Sequence, residues 1–208
     1  MSETAFRTIA ENAQAELEEK RSVFLAAVRR VSEETEAEAF VRECRRAHPD
    51  ARHTVFAYLL RKGTARYSDD AEPQGTAGMP VLEAIRRAGL TDVIVVITRY
   101  FGGILLGAGG LTRAYAGAAN LALTKAGVAE YVPFTEYEAR CSYADHQKVT
   151  KELERAGARV RETAFEADVA ARFGVRSEDG EALLRRLTDL TAGRVKLRKI
   201  GESMGLNQ

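Results

Sequence analysis

A chain of 208 residues with 45% hydrophobic and 29% charged residues, 17 glycines and four prolines has the composition of a folded protein, which excludes a disordered or fibrous one. Its length allows one large domain or two small ones, each with its own core. Thirty-one basic residues against thirty acidic ones give a net charge of +1, which excludes a grip on nucleic acid through bulk positive charge and leaves only local contacts.

The apolar runs, such as residues 93–97, are far shorter than a bilayer span, and the first 20 residues carry five Glu and no apolar core of signal-peptide length. The chain therefore reads as cytoplasmic, with no membrane partner. Cys44 and Cys141 lie far apart with no CxxC pair, so they read as buried thiols and not as a disulfide framework or a zinc site.

In chain order, residues 22–31 and 53–60 are rich in Val, Phe, Leu and Tyr and read as strands. Between them Ala37, Phe40, Val41 and Cys44 recur at helical spacing, Thr35 and Glu38 have the spacing of a capping box, and Arg42, Arg45 and Arg46 fall on the wet face. Residues 61–78 form a polar loop, and Pro80 opens a helix over 80–88 that stops at Gly89. Residues 93–97 read as a strand covered on both faces, and residues 111–126 as a helix ending at Gly127.

After Pro133 the pattern changes, and a second domain begins. Thr135, Tyr137, Ala139, Cys141 and Tyr143 alternate with polar residues, as on a half-buried strand. Asp145 is placed to cap a helix carrying Val149, Leu153 and Ala156. Val169 to Val175 alternate again, Leu183, Leu184, Leu187 and Leu190 mark a helix closed by Gly193, and residues 194–200 alternate once more. The order βαββαβ predicts a ferredoxin-like domain. The chain is thus expected to be a two-domain α/β (α+β) protein, with domains at 1–132 and 133–208.

Three segments are candidates for function. Five glycines at 102, 103, 107, 109 and 110 separate a buried strand from a helix start, where free backbone N–H groups and the helix dipole suit an anion. Gly102, Gly103 and Gly107, with Arg99, Tyr100 and Arg113 beside them, are the candidate binding residues. The alternative is structural: Gly102 and Gly103 supply positive φ in a tight turn, residues 107–110 let a helix pack closely, and either arginine pairs with a nearby acid. The dinucleotide fingerprint fails for want of a third Gly, and no GK[ST] is present.

The second segment, residues 68–78, offers Asp69, Asp70 and Glu72 as cation ligands or acid–base groups, with His53 within reach as a fourth candidate catalytic residue. Acids beside Pro and Gly are also turn formers, and Thr76, another binding candidate, has the position of a helix cap. His48, His53 and His146 form no zinc signature, and no GxSxG elbow or Cys-His signature is present. No cofactor and no metal are expected. The third segment is the basic strand of Arg194, Lys196, Arg198 and Lys199, which suits RNA phosphates or else is a solvated strand face.

Arg-Tyr-Phe-Gly-Gly-Ile-Leu-Leu-Gly at 99–107 resembles the diagnostic segment of the YigZ/IMPACT family. Ser-Asp-Asp-Ala-Glu-Pro-Gln-Gly-Thr-Ala-Gly at 68–78 resembles that family's SDDGEPxGTAG loop, with Ala71 in place of the usual Gly. His-Pro-Asp-Ala-Arg-His at 48–53 is similar to its segment before the central strand and Lys-Arg-Ser-Val-Phe at 20–24 to its first strand, in the same order. The resemblance covers residues 17–126 most strongly; Thr-Glu-Tyr at 135–137 extends it to the bacterial members' C-terminal domain. It implies an N-terminal β-α sandwich shared with a small-subunit ribosomal protein and a domain of elongation factor G. It also implies a ferredoxin-like C-terminal domain similar to that factor's last domain. Eukaryotic relatives act in translational control by binding the activator of the starvation-responsive initiation-factor kinase. The resemblance thus implies a non-enzymatic binding protein with an RNA, ribosome or translation-factor partner. The alternative is a metal-dependent hydrolase or phosphoryl-handling enzyme built on His53, Asp69, Asp70 and Glu72.

Overall fold

A computed structural model describes residues 4–207. It divides into two compact units, one over Phe6–Glu130 and a second from Tyr131 on. The fold is mixed α/β in both.

In the first unit the chain runs β1 (Phe6–Ile9), β2 (Ala13–Glu19), β3 (Ser22–Arg30), α1 (Glu34–Ala47), β4 (His53–Leu59), β5 (Ala65–Ser68), α2 (Gly78–Arg87), β6 (Val93–Tyr100) and α3 (Gly107–Ala126). A five-stranded sheet has the order β2-β3-β6-β4-β5, with every pairing antiparallel. β6 is central and buried from Val93 to Arg99, as its β-branched run requires when both faces are covered.

Side-chain alternation along β6 assigns the two faces. Val93, Val95 and Ile97 join Val81, Ile85, Tyr115 and Ala118 in the core under α2 and α3. Ile94 and Val96 join Ala37, Phe40, Val41 and Cys44 under α1. Arg99 therefore belongs to the α2/α3 side and Tyr100 to the α1 side, where its hydroxyl lies 3.0 Å from His48 Nδ1.

Several sequence expectations are corrected. β1 and β2 fall where no strand is read from the sequence; β2 is an edge strand whose apolar positions are only Ala13, Ala15 and Leu17, a weak signal. β5 lies inside the expected polar loop as the opposite edge. The capping box shifts: α1 has Glu33 at its N-cap with no side-chain bond, and Glu36 instead accepts from Ser32 N at 2.7 Å. Thr76 does not cap α2, because its hydroxyl donates to Pro73 O at 2.6 Å; the Asp69 carboxylate accepts from Ala77 N and Gly78 N in its place.

The second unit holds β7 (Val128–Cys141), α4 (Tyr143–Arg155), β8 (Arg159–Phe165), β9 (Val169–Arg176), α5 (Gly180–Leu190) and β10 (Lys196–Leu206). β7 carries the chain in from the first unit and is flanked by β9 and β10, with β8 beyond β9, all antiparallel. Both helices pack on one sheet face, burying Val149, Leu153, Leu183 and Leu187 against Ala139, Cys141, Phe173 and Val175. Ser142, not Asp145, caps α4: its Oγ accepts from Asp145 N at 3.3 Å, three residues on, the reach that the cap geometry needs. Asp145 is instead clamped by Arg194 at 2.8 and 2.9 Å.

Candidate functional site

The Gly-rich turn and the acidic loop meet above the end of β6, in a pocket of about 350 Å³ lined by Arg52, His53, Glu72, Arg99, Phe101 and the start of α3. Arg99 sits across from His53 on β4 and Phe24 on β3, so the sheet register sets its place. It is 5% exposed. Its Nη1 donates to Glu72 Oε1 at 2.5 Å and its Nη2 to Ser22 Oγ at 3.3 Å. Its guanidinium also lies 5.3 Å from the Phe24 ring centroid and 5.8 Å from that of Phe101.

Arg99 is thus not the exposed anion clamp that its place in the sequence suggests. It closes a buried ion pair, and Tyr115 completes it by donating its hydroxyl to Glu72 Oε1 at 2.8 Å. Burial, with the Glu72 carboxylate adding to it, pushes the Tyr115 phenol well above its usual range, so it stays a neutral donor. One polar atom is left over: the Arg99 Nε–H is buried with no acceptor. An orphaned buried donor costs about 1–3 kcal/mol, which makes it the most telling atom of the pocket.

The acids do not converge. Asp69 accepts from the backbone N–H groups of Gly75, Ala77 and Gly78. Asp70 accepts from Thr54 N at 2.6 Å and pairs with Arg45 at 2.9 Å. Glu72 faces the other way, into the Arg99 pair. His53 donates Nδ1–H to the Asp70 carbonyl at 2.8 Å, since a carbonyl can only accept, and its Nε2 lies 3.8 Å from Glu72. Among the described residues no group of three His, Cys, Asp or Glu side chains is placed to hold a metal ion.

The glycines divide differently from the expectation. Gly103 and Gly107 have φ of +83° and +69°, whereas Gly102 has no positive φ. A methyl group at Gly102 would collide with the Arg21 carbonyl and Ser22 N, so Gly102 allows close backbone approach, and its own N–H donates to Ser22 Oγ at 3.2 Å. Gly107 lies in open space and Gly109 meets only the Arg113 side chain, so neither serves close packing on the sheet. α3 begins at Gly107, four residues before the expected start, with neither a capping side chain nor an acid in its first turn. Arg113 is exposed on α3 and is not part of the pocket wall.

Sequence reasoning missed Arg52, Phe101 and Leu105. Arg52 follows the Pro-Asp-Ala turn and stands 6.0 Å over the Phe101 ring; only its adjacency to His53 hints at it. Leu105 is 84% exposed, an unusual place for a leucine in a glycine turn.

The second unit carries a separate charged surface. On the sheet face away from α4 and α5, Glu138 is 5% exposed and pairs with Arg140 at 3.0 Å and with Arg172 and Arg198 at 3.4 Å each. Lys196 stands opposite Arg140 in register, and Glu162 reaches Arg172 at 3.1 Å from the outer strand. The Arg140 guanidinium, followed by the others, holds the Glu138 carboxyl below the usual carboxylate range. Of the expected basic strand, Arg194 turns to Asp145 and Lys199 to Glu202 at 2.5 Å, leaving Lys196 and Arg198 on this face.

The chain as a whole is similar to known proteins. Residues 20–123 match the Impact N-terminal domain and residues 140–194 a domain of unknown function, DUF1949. The chain is 32% identical over 197 residues to the IMPACT family member YvyE of Bacillus subtilis, covering 94% of this chain and 91% of the relative. It is 33% identical to the IMPACT family member YigZ of Escherichia coli, covering 88% and 92%, and 38% identical to an IMPACT family member of Thermus thermophilus, covering 85% and 97%. A crystal structure described as that of a hypothetical protein superposes with a TM-score of 0.62 at 30% identity, covering 96% of this chain and 98% of that one. The chain belongs to the IMPACT family.

Proposed function

We propose that this chain is a non-enzymatic binding protein of the translation apparatus, and that it contacts RNA phosphates, in the ribosome or a translation-control complex, through the open sheet face of its second unit. The observation that carries this is the Arg140, Arg172 and Arg198 cluster on Glu138. Three half-exposed guanidiniums, with Lys196 beside them, share one buried carboxylate on a solvent-facing sheet. Guanidiniums fixed by a buried carboxylate are oriented in advance, so a phosphate meets them at reduced entropic cost. Sequence-independent RNA contact needs only such local charge.

The fold readings belong to the same proposal. The strand order β10-β7-β9-β8 supports a ferredoxin-like domain at 133–208 similar to the last domain of elongation factor G. The sheet covered by α1 on one face and by α2 and α3 on the other supports a ribosomal-protein-like sandwich at 1–132. A metal-dependent hydrolase finds no support, because Asp69, Asp70 and Glu72 are each engaged separately.

Co-sedimentation with ribosomes at several salt concentrations tests the reading. Association is expected at low salt and to weaken as salt rises. In the triple variant Arg140→Ala, Arg172→Ala, Arg198→Ala each lost phosphate contact is expected to flatten the salt slope by roughly 0.7–0.9. No association at low salt would overturn it.

A further inference from the structure

The pocket at the start of α3 supports an inference that does not depend on RNA contact. α3 is 20 residues long, and without a capping side chain or an acid its first turn keeps free N–H groups and the positive end of the helix dipole. Many helices share that feature. What distinguishes this one is Arg99, 5% exposed, which lines the same pocket and carries a buried Nε–H with no acceptor. Arg52 adds an exposed cation at the rim, while the one acid of the lining, Glu72, is already occupied by Arg99 and Tyr115. His53 also lines the wall, its Nδ1–H given to the Asp70 carbonyl, and the apolar part of the lining includes Pro73, Phe101, Leu105 and Leu111. The Phe101 ring centroid is 6.0 Å from the Arg52 guanidinium and 5.8 Å from that of Arg99, and Leu105 is 84% exposed.

We propose that this pocket binds a small organic oxyanion, a carboxylate or phosphate joined to an apolar or aromatic body. The anion sits between the Arg99 Nε–H, the Arg52 guanidinium and the first turn of α3. The body lies against Phe101 and Leu105. A volume of about 350 Å³ falls within the range of small-molecule sites, about 300–1,000 Å³. An oxyanion supplies the acceptor that Arg99 lacks, and the apolar body covers a leucine otherwise left in water. Neither half of the site accounts for the other.

Calorimetric titration of the full chain with phenyl phosphate, benzoate, inorganic phosphate and phenol tests this. Phenyl phosphate and benzoate are expected to bind about tenfold more tightly than inorganic phosphate, and phenol to give no heat. Arg99 is a core residue whose loss would disturb folding, so the variants are at exposed positions. Leu105→Ser is expected to bring phenyl phosphate close to inorganic phosphate while leaving the latter unchanged. Arg52→Ala is expected to weaken every anion by about tenfold. Three results would overturn the proposal: no heat from phenyl phosphate or benzoate up to about 10 mM, inorganic phosphate binding as tightly as phenyl phosphate, or equal binding by the wild type and both variants. Ribosome association tests residues of the other unit, so the two readings fail separately.

Discussion

Removing the Arg99 guanidinium leaves the Glu72 carboxylate 4% exposed with only the Tyr115 hydroxyl and a histidine nitrogen at 3.8 Å nearby. Breaking a buried pair from one side costs about 3–5 kcal/mol. Arg99→Ala is therefore expected to lower stability by that amount in urea denaturation, whereas Arg113→Ala, at an exposed site, should stay within about 0.5 kcal/mol. Equal effects would contradict the division between them. At Ala71 the structure shows φ of +66°, a left-handed conformation that a Cβ disfavours by about 1–2 kcal/mol. Glycine relieves that and adds unfolded-state entropy, so Ala71→Gly should raise stability by about 0.5–1 kcal/mol in the same assay. The departure of Ala71 from the family segment is legible in the sequence. That Arg99 points into the core is not: spacing shows that it ends a buried strand, but only the register opposite His53 and Phe24 fixes its face.

Elements with an apolar rhythm, such as α1, α5 and β9, or with an unbroken apolar run, such as β6, are legible because burial itself creates the pattern. Edge strands escape because water covers one side: β2 alternates with four glutamates and glutamines, and β5 is wet along most of its length. Helix starts escape where the cap lies far off in sequence. Asp69 serves Ala77 and Gly78 from eight and nine residues away, so no local motif announces it. α4 shows the ordinary case, and Ser142→Ala should cost the second unit about 1 kcal/mol in thermal or urea unfolding. Gly102 joins two elements, since the turn after β6 passes against the Lys20–Arg21 turn between β2 and β3 too closely for a side chain. Gly102→Ala is expected to separate these turns, seen as faster amide exchange in both; unchanged exchange would contradict the close approach. The glycine cluster is easy to see in the sequence, yet which glycine serves which need depends on neighbours distant along the chain.

The two units of the molecule divide the chemistry. The first holds a lined pocket above a buried ion pair, and the second an open, arginine-rich sheet face. Acid should act on the second unit in a definite direction. Arg194 holds the Asp145 carboxyl below its usual range, and Arg140 does the same for Glu138. A carboxyl depressed in the folded state binds fewer protons there than in the unfolded chain. The stability it contributes is full above about pH 5 and is lost as pH falls through the ordinary carboxylate range and below. The protection of β9 amides, taken relative to the intrinsic exchange rate at each pH, should therefore fall on acidification, and less steeply in Arg194→Ala. The composition excludes bulk electrostatic binding, and the proposed RNA contact rests instead on local charge, since neutral totals conceal three guanidiniums gathered on one carboxylate. The most direct test is ribosome co-sedimentation of the wild type and the Arg140→Ala, Arg172→Ala, Arg198→Ala variant across a salt series. Salt-sensitive association that is largely lost in the variant is the predicted result. No association at low salt, or association unchanged by the three substitutions, would contradict it.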